Sequence, residues 1–263
     1  MEGKKSLAKQ RECGPQAAKE TLIAKHRVMP DMEKSKVSKA NKERLWKRFL
    51  LLLPLGIATL GAMLFLPAGT FDYWQAWLFL GVIFIPFLFV ATYFLKRDPA
   101  FLERRMKYKE KEAKQGTIVK LSGLFFFIGI LVPGFDYRYG WSDVPVMLVL
   151  ISDLIIFLGY MLVFRVFKEN SYASRTIEVV KGQKVITTGP YAVIRHPMYA
   201  GVIAMYFFIP LALGSFWALA FFIPSLALIP LRAINEEKTL AKELKGYKAY
   251  MEKVRYRLIP HVW

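Results

Sequence analysis

One long polar stretch between apolar segments, residues 178–197, reads E-V-V-K-G-Q-K-V-I-T-T-G-P-Y-A-V-I-R-H-P. Loops rich in glycine, proline and reactive side chains often carry binding residues on a rigid scaffold. The Gly-Pro pair favours a turn, and Pro197 favours a helix that begins close to it. Arg195 and His196 would then lie at the N-terminus of that helix, where free backbone N–H groups favour an anionic ligand group. Interfacial anchoring of the loop explains the same residues equally well.

A second polar group follows the last long apolar stretch, in the run R-A-I-N-E-E-K-T-L-A-K-E-L-K-G-Y-K-A-Y over residues 232–250. Arg232, Glu236 and Leu240 are spaced by four, so they would share one face of a helix, whereas Glu237 would point elsewhere. One guanidinium and one carboxylate could thus face a common pocket. The alternative is an ion pair on a solvated helix.

Four residues continue an apolar stripe beyond this group: Leu240, Leu244, Tyr247 and Met251. Their spacing predicts a cytoplasmic amphipathic helix that lies on the membrane surface or packs over the polar loop. Such a helix would close the site from the water side.

Familiar catalytic motifs are missing from the sequence. There is no G-x-x-x-x-G-K-[ST], no H-E-x-x-H and no G-x-S-x-G. The three histidines, His26, His196 and His261, are too scattered to indicate a metal site, so none is expected. Cys13 is the single cysteine, which excludes an intrachain disulfide and a cysteine-based metal site.

The composition places these residues in a membrane protein. The chain has 263 residues, 55% of them hydrophobic, yet 22% are charged. Charged and apolar residues are segregated along the chain, unlike the periodic mixture of a soluble domain. The net charge of +18 is concentrated beside apolar runs, which indicates topology and anionic lipid headgroups rather than nucleic acid as the partner.

The apolar runs predict an all-α, polytopic transmembrane bundle. Four runs are each close to the ~20 residues that span a hydrocarbon core. They cover Phe49–Pro67, Trp74–Leu95, Ile118–Phe135 and Val144–Phe167. A fifth region, Tyr199–Leu231, is broken near Gly214 and Ser215, which predicts a C-terminal helical hairpin with halves of about fifteen residues, shorter than the ~17-residue minimum for a span.

The flanking charges set the expected organisation. Residues 1–45 have the composition of a disordered basic cytoplasmic tail, unless Met29 or Met32 is the true start. Residues 46–175 would hold transmembrane helices 1–4, and residues 176–263 the cofactor-binding region with its hairpin. Lysine and arginine flank every loop of one side, so both termini of this multi-pass protein should be cytoplasmic.

Two ionisable residues lie inside predicted spans. Asp153 is in mid-span, where it is either functional or a packing residue that is protonated or bonded to Ser152 or Lys120. Arg165 lies near a span end and can reach the interface, so a structural role is expected.

These residues together resemble a known family. Residues 187–260 are similar to the C-terminal half of the isoprenylcysteine carboxyl methyltransferase superfamily, which includes membrane phospholipid N-methyltransferases. The resemblance is carried by T-T-G-P-Y-A-V-I-R-H-P-M-Y-A-G, a hydrophobic hairpin, R-x-x-x-E-E-x-x-L, G-Y-x-x-Y and R-L-I-P. The resemblance implies an S-adenosylmethionine-dependent methyltransferase. Its acceptor would be lipophilic and would arrive from the bilayer, with either an isoprenylcysteine-type carboxylate or a phospholipid amine as the nucleophile.

The resemblance also implies roles for individual residues. Arg232 and Glu236 would be catalytic, and Arg232 would bind the substrate. Residues 183–186 would line the cofactor cleft through backbone groups. The cofactor contacts would come from Gln183, Lys184, Val185, Ile186, Tyr191, His196, Pro197, Met198, Tyr199 and Glu236.

Two other functions fit parts of the same pattern. Membrane sterol or isoprenoid reductases that use NADPH have a similar R-H-P-x-Y region, although the paired glutamates here favour the methyltransferase. A non-enzymatic membrane scaffold, in which these residues only anchor loops, is the third hypothesis.

Overall fold

The computed structural model describes residues 39–106, 113–180 and 182–263. Most of the expected tail, residues 1–38, therefore lies outside the described residues. The first helix begins at Lys39, ten residues before the apolar run at Phe49 and inside the expected tail. Good helix formers such as lysine, alanine and glutamate extend the helix beyond its apolar part.

The described residues form eight α-helices and one short 3-10 helix, with no strand among them. The helices are α1 (Lys39–Ala68), α2 (Trp74–Arg97), α3 (Pro99–Arg105), α4 (Ala113–Tyr139), α5 (Val146–Glu169), the 3-10 helix (Gly189–Ala192), α6 (Pro197–Ala212), α7 (Leu219–Glu243) and α8 (Tyr247–Lys253). The predicted all-α class is thus confirmed for this part of the chain.

Five helices are long and apolar enough to cross a membrane: α1, α2, α4, α5 and α7. The first three contain the first three predicted spans, and α5 contains the fourth except for its first two residues, Val144 and Pro145. Large apolar side chains such as Leu51 and Ile85 are 68% and 72% exposed on the outside of the bundle. An apolar exterior of this kind suits lipid contact, because a soluble protein rarely exposes so much apolar surface.

The predicted break in the hairpin is confirmed, but the expected length of its second half was wrong. Gly214 has a φ of +72°, a left-handed conformation that favours glycine, and it lies between α6 and α7. α6 has 16 residues, whereas α7 has 25 and continues through Arg232 and both glutamates. The polar run contains no helix breaker before Gly246, so it extends the hairpin helix instead of starting a separate one.

The predicted amphipathic helix is divided in two. α7 ends at Glu243, and Gly246 has a φ of +88°, after which α8 begins at Tyr247. Leu244, Tyr247 and Tyr250 are buried together and pack against Val185 of the polar loop. The apolar stripe therefore packs over the loop as expected, although it is divided between the end of α7 and α8.

The tip of the hairpin is held at the end of the bundle where α1 meets α2 and α4 meets α5. The hydroxyl of Tyr73 donates to the carbonyl of Leu213, and the hydroxyl of Ser215 donates to the carboxylate of Asp136. Asp136 also accepts from the backbone N–H of Ser142 at 2.7 Å. These bonds place the hairpin tip level with the two loops that connect the long helices.

Small residues allow the helices to approach closely. A Cβ added at Gly134 of α4 would lie 2.5 Å from the carbonyl oxygen of Leu64 and 2.9 Å from Cβ of Pro67, both in α1. α5 and α6 pack in the same way, since a Cβ at Gly159 would lie 2.8 Å from Cγ of Met205. Two helix pairs of the bundle thus depend on glycine at their contact points.

We expect Gly134→Ala to destabilise the bundle, because its methyl group meets the backbone of α1 and cannot be accommodated by a rotamer change. Overpacking of this kind costs about 1–3 kcal/mol, and thermal melting of the detergent-solubilised protein measures it. Gly123→Ala, in the same helix with no atom within 4 Å of the new Cβ, is the matched control. Equal melting temperatures for the two variants would contradict the close contact.

Candidate functional site

The polar loop, the start of α6 and the C-terminal half of α7 enclose a narrow cleft. Its cavity volume is about 90 Å³. The empty space is about 820 Å³ when the open mouth is included. Its floor is the N-terminus of α6, and Tyr247 and Tyr250 of α8 close one side. The cleft therefore has a polar loop wall and an aromatic wall.

All of the residues expected to contact a cofactor line this one cleft. They are Gln183, Lys184, Val185, Ile186, Tyr191, His196, Pro197, Met198, Tyr199 and Glu236. Arg232 is not among the lining residues. The structure thus brings together residues that are up to 53 positions apart in sequence, while the function of each residue stays a prediction.

Arg232 and Glu236 meet through a tyrosine. The hydroxyl of Tyr199 donates to Oε2 of Glu236 at 2.7 Å and accepts from Nε of Arg232 at 3.1 Å. Glu236 lines the cleft, whereas Arg232 lies behind Tyr199 and also donates to the side chain of Gln115 at 3.3 Å. The guanidinium and the carboxylate therefore share a partner, but only Glu236 lines the cleft, so the common pocket expected from the spacing of four is not seen.

The neighbouring glutamate has a different environment. Glu237 is 4% exposed and accepts three bonds from three side chains. Arg195 Nε donates at 2.6 Å, Arg257 Nε at 2.9 Å, and His196 Nε2 lies at 3.2 Å. A buried carboxylate with this set of donors is fully compensated, because each of its oxygens is paired with a cation.

The same cluster ties the loop to the C-terminal segment. Nη1 of Arg195 donates to the carbonyls of Val254 and Arg255 at 2.7 and 2.8 Å. The backbone N–H of Arg195 also donates to the carbonyl of Tyr256 at 2.9 Å. Arg195 lies just before α6, as expected, and these donors bind the protein's own acceptors.

Tyrosines order the loop side of the cleft. The hydroxyl of Tyr191 accepts from the side-chain amide of Asn170 at 2.9 Å, and the hydroxyl of Tyr250 donates to the carbonyl of Tyr191 at 2.7 Å. Burial raises the pKa of Tyr191 and of Tyr250 well above the ordinary value for a phenol. Both phenols are therefore neutral hydrogen-bonding groups at physiological pH and do not act as bases.

Asp153 is not part of this site. It is 4% exposed, and both of its carboxyl oxygens lack a hydrogen-bond partner among the described residues. The expected bond to Ser152 is absent, because the Ser152 hydroxyl donates to the carbonyl of Leu148 in its own helix. Arg165 is exposed, which agrees with an anchoring role at the interface.

Three site residues were not singled out from the sequence. Glu237 was set aside because it points away from Glu236, and its burial against Arg195 depends on tertiary contacts. Asn170 lies at the end of α5, where the sequence shows only a span followed by a polar loop. Arg105 belongs to a basic run that signals topology, and its distance of 4.0 Å from Sδ of Met198 has no sequence signal.

The site lies almost entirely within a region that matches a known family. The family model described as Phospholipid methyltransferase matches residues 147–246. This region includes α5, the polar loop, α6 and α7; it begins before the resemblance at Thr187 and ends before Pro260. No curated protein matches the chain at a significant level.

We expect Glu237→Ala to destabilise the protein strongly, because it leaves Arg195 buried without its carboxylate partner. Removing one partner of a buried ion pair costs about 3–5 kcal/mol, which thermal melting in detergent measures. Glu243→Ala is the control, since Glu243 is exposed in the same helix. A shift as small as that of the control would show that the cluster does not hold the fold together.

Proposed function

Since residues 147–246 carry a phospholipid methyltransferase family domain, we propose that this integral membrane protein is an S-adenosylmethionine-dependent methyltransferase that acts on a lipophilic acceptor. The observation that supports it most directly is the single cleft lined by every residue of the predicted cofactor set. The five long apolar helices beside that cleft suit an acceptor that arrives from the bilayer.

The residues of the cleft fit this cofactor in kind. Glu236 supplies a carboxylate for the cationic amino group of the cofactor, and its bond to Tyr199 keeps that carboxylate oriented. Tyr247 and Tyr250 supply aromatic and apolar surface for a flat ring. Residues 183–186 supply backbone donors and acceptors along the loop wall. When bound, the cofactor supplies a methyl group on a sulfonium, whose sulfur keeps the electron pair of the broken bond.

Arg232 and Glu236 have separate tasks in this proposal. Arg232 orients the acceptor from behind Tyr199, on the side where it reaches Gln115. Glu236 holds the cofactor on the cleft side. An acceptor carboxylate needs only this alignment, because it attacks the methyl carbon without losing a proton. An acceptor amine must first lose its proton to a base. Isoprenylcysteine-type carboxylates and phospholipid amines are both kept as candidate acceptors.

The proposed topology has six crossings and both termini in the cytoplasm. α6 is about 24 Å long at 1.5 Å per residue, short for a core of about 30 Å. Its tip nevertheless bonds to Tyr73 and Asp136 at the level of the loops between the long helices, which supports a complete crossing. The cleft and the basic loops then lie at the cytoplasmic end, beside anionic lipid headgroups.

We expect S-adenosylmethionine and S-adenosylhomocysteine to bind the purified protein, and Glu236→Gln to weaken both about 10- to 100-fold. The substitution removes a charge-assisted hydrogen bond worth about 1.5–3 kcal/mol at nearly constant shape. Calorimetry in detergent measures the affinities, with Glu243→Gln, an exposed glutamate of the same helix, as control. Binding of NADPH alone would favour a reductase, and binding of none of the three ligands would favour a scaffold.

We expect opposite accessibility for the hairpin tip and the C-terminal region in sealed cells. In a Cys13→Ser background, a membrane-impermeant maleimide should label Trp217→Cys at the exposed tip without permeabilisation. Lys253→Cys, exposed at the end of α8, should react only after permeabilisation. Labelling of both sites from the same side would rule out a crossing hairpin.

A further inference from the structure

A second cavity lies beside the cleft and is almost entirely apolar. Its cavity volume is about 460 Å³, compared with about 90 Å³ for the cleft. Phe49 of α1, Ala91 of α2, Phe101 of α3 and Phe164 of α5 contribute to its wall. The first three helices precede the region that the family match covers, so no known activity is attached to this part of the chain.

Arg105 connects the two spaces. Its side chain lines the apolar cavity, and its Nη1 lies 4.0 Å from Sδ of Met198, which lines the cleft. A molecule with its chain in the cavity and its head at Arg105 would therefore present that head beside the cleft.

The surroundings of Arg105 are positively charged. Its guanidinium donates to the carbonyl of Ser174 at 3.0 Å and lies 4.6 Å from the ring centre of Phe167, and it makes no ion pair with a carboxylate among the described residues. Burial lowers the pKa of Arg105 most, and Tyr199 raises it, while the nearby charges of Arg175 and Arg232 lower it further. An anion bound there would relieve this repulsion.

An unsatisfied donor lies next to the same group of arginines. The side-chain oxygen of Gln115 accepts from Arg232 at 3.3 Å. Its amide nitrogen is buried and has no hydrogen-bond partner among the described residues. Buried donors are rarely left without an acceptor; Gln115 lines neither of the two spaces, so its nitrogen bears on Arg232 and not directly on the head of the proposed ligand.

We propose that the apolar cavity holds one hydrocarbon chain of the methyl acceptor and that Arg105 binds an anionic group, a carboxylate or a phosphate, at its head. The proposal rests on the proposed function and assigns the acceptor to the anionic lipids. The hydrocarbon chain of the acceptor gains little free energy when it moves from the bilayer into the cavity, because lipid is as apolar as the cavity wall. Selection therefore comes from the head, where Arg105 distinguishes charged from neutral groups, and from the size of the cavity.

The test compares anionic lipids with neutral counterparts of the same chain. The probes are S-farnesylcysteine with its carboxamide, and a lysophosphatidylethanolamine with a monoacylglycerol. Specific binding is measured on the full chain in phosphatidylcholine nanodiscs, corrected with empty discs. For at least one pair, we expect the anionic probe to bind about 10- to 100-fold more tightly than its neutral counterpart, as for a hydrogen bond to a charged group. The pair that shows this difference identifies the recognised group as the carboxylate or the phosphate.

Two variants assign the effect to the proposed site. Arg105→Gln should abolish the preference for the anionic probe, whereas Arg97→Gln, an exposed arginine at the end of α2, should retain it. Ala91→Phe places a ring in the cavity and should weaken both members of the pair at least about tenfold, since the ring takes space that the hydrocarbon chain would occupy. Ile85→Phe, 72% exposed in the same helix, should change neither.

Binding of S-adenosylhomocysteine is measured on every variant and separates the possible failures. The proposed acceptor site is overturned if Arg105→Gln still binds S-adenosylhomocysteine and keeps the preference for the anionic probe. It is also overturned if Ala91→Phe still binds S-adenosylhomocysteine and binds both probes as tightly as the wild type. No anionic preference in either pair overturns it as well. If the wild-type protein binds no adenosyl ligand, the proposed function fails instead.

Discussion

The buried carboxylate of Glu237 is the contact on which the rest of the site depends. It brings together the polar loop through Arg195, the start of α6 through His196, and the C-terminal segment through Arg257. Hydrophobic contacts also join these parts, since Val254 packs with Val185 of the loop and Leu258 packs with Tyr199 of α6. The carboxylate with its three charged or ring-nitrogen donors adds fixed polar contacts to that packing, at the cost of taking several charges out of water.

This arrangement divides the paired glutamates between two functions. Glu237 is bound by three side chains of the fold, whereas Glu236 faces the cleft and accepts a hydrogen bond from the hydroxyl of Tyr199. Because the two residues are adjacent on a helix, they point about 100° apart, and one turn of α7 serves the fold and the ligand at the same time. The hairpin tip provides the complementary restraint, since Tyr73 and Asp136 hold the far ends of α6 and α7. Both ends of the hairpin are thereby fixed, and the cleft at its base keeps its shape.

Much of this could be predicted from the sequence, for simple reasons. Apolar runs of helical length predict helices wherever they occur, and the Gly214 break and the helix start at Pro197 follow from backbone preferences of single residues. The spacing of Arg232 and Glu236 predicted a common helix face, and both side chains bond to the hydroxyl of Tyr199, although Arg232 does not line the cleft. The extent of α7 was missed because a change from apolar to polar residues was taken as the end of a helix, although helix propensity does not change there. The division of the apolar stripe at Gly246 was missed because periodicity alone continues through a glycine.

By itself, the sequence determined that the chain is helical and has apolar runs long enough to cross a membrane, because hydrophobic length and charge segregation are local properties. The set of expected cofactor residues came from the resemblance to a family, and its roles stay a prediction. Only the tertiary structure decided that Arg195 is occupied by Glu237, that Arg232 lies behind Tyr199, and that Arg105 lies beside Met198. Each of these contacts joins residues at least 33 positions apart. Such contacts depend on how the helices pack. Close contacts at glycines and the pairing of buried charges decide that packing, and the local sequence pattern does not encode it.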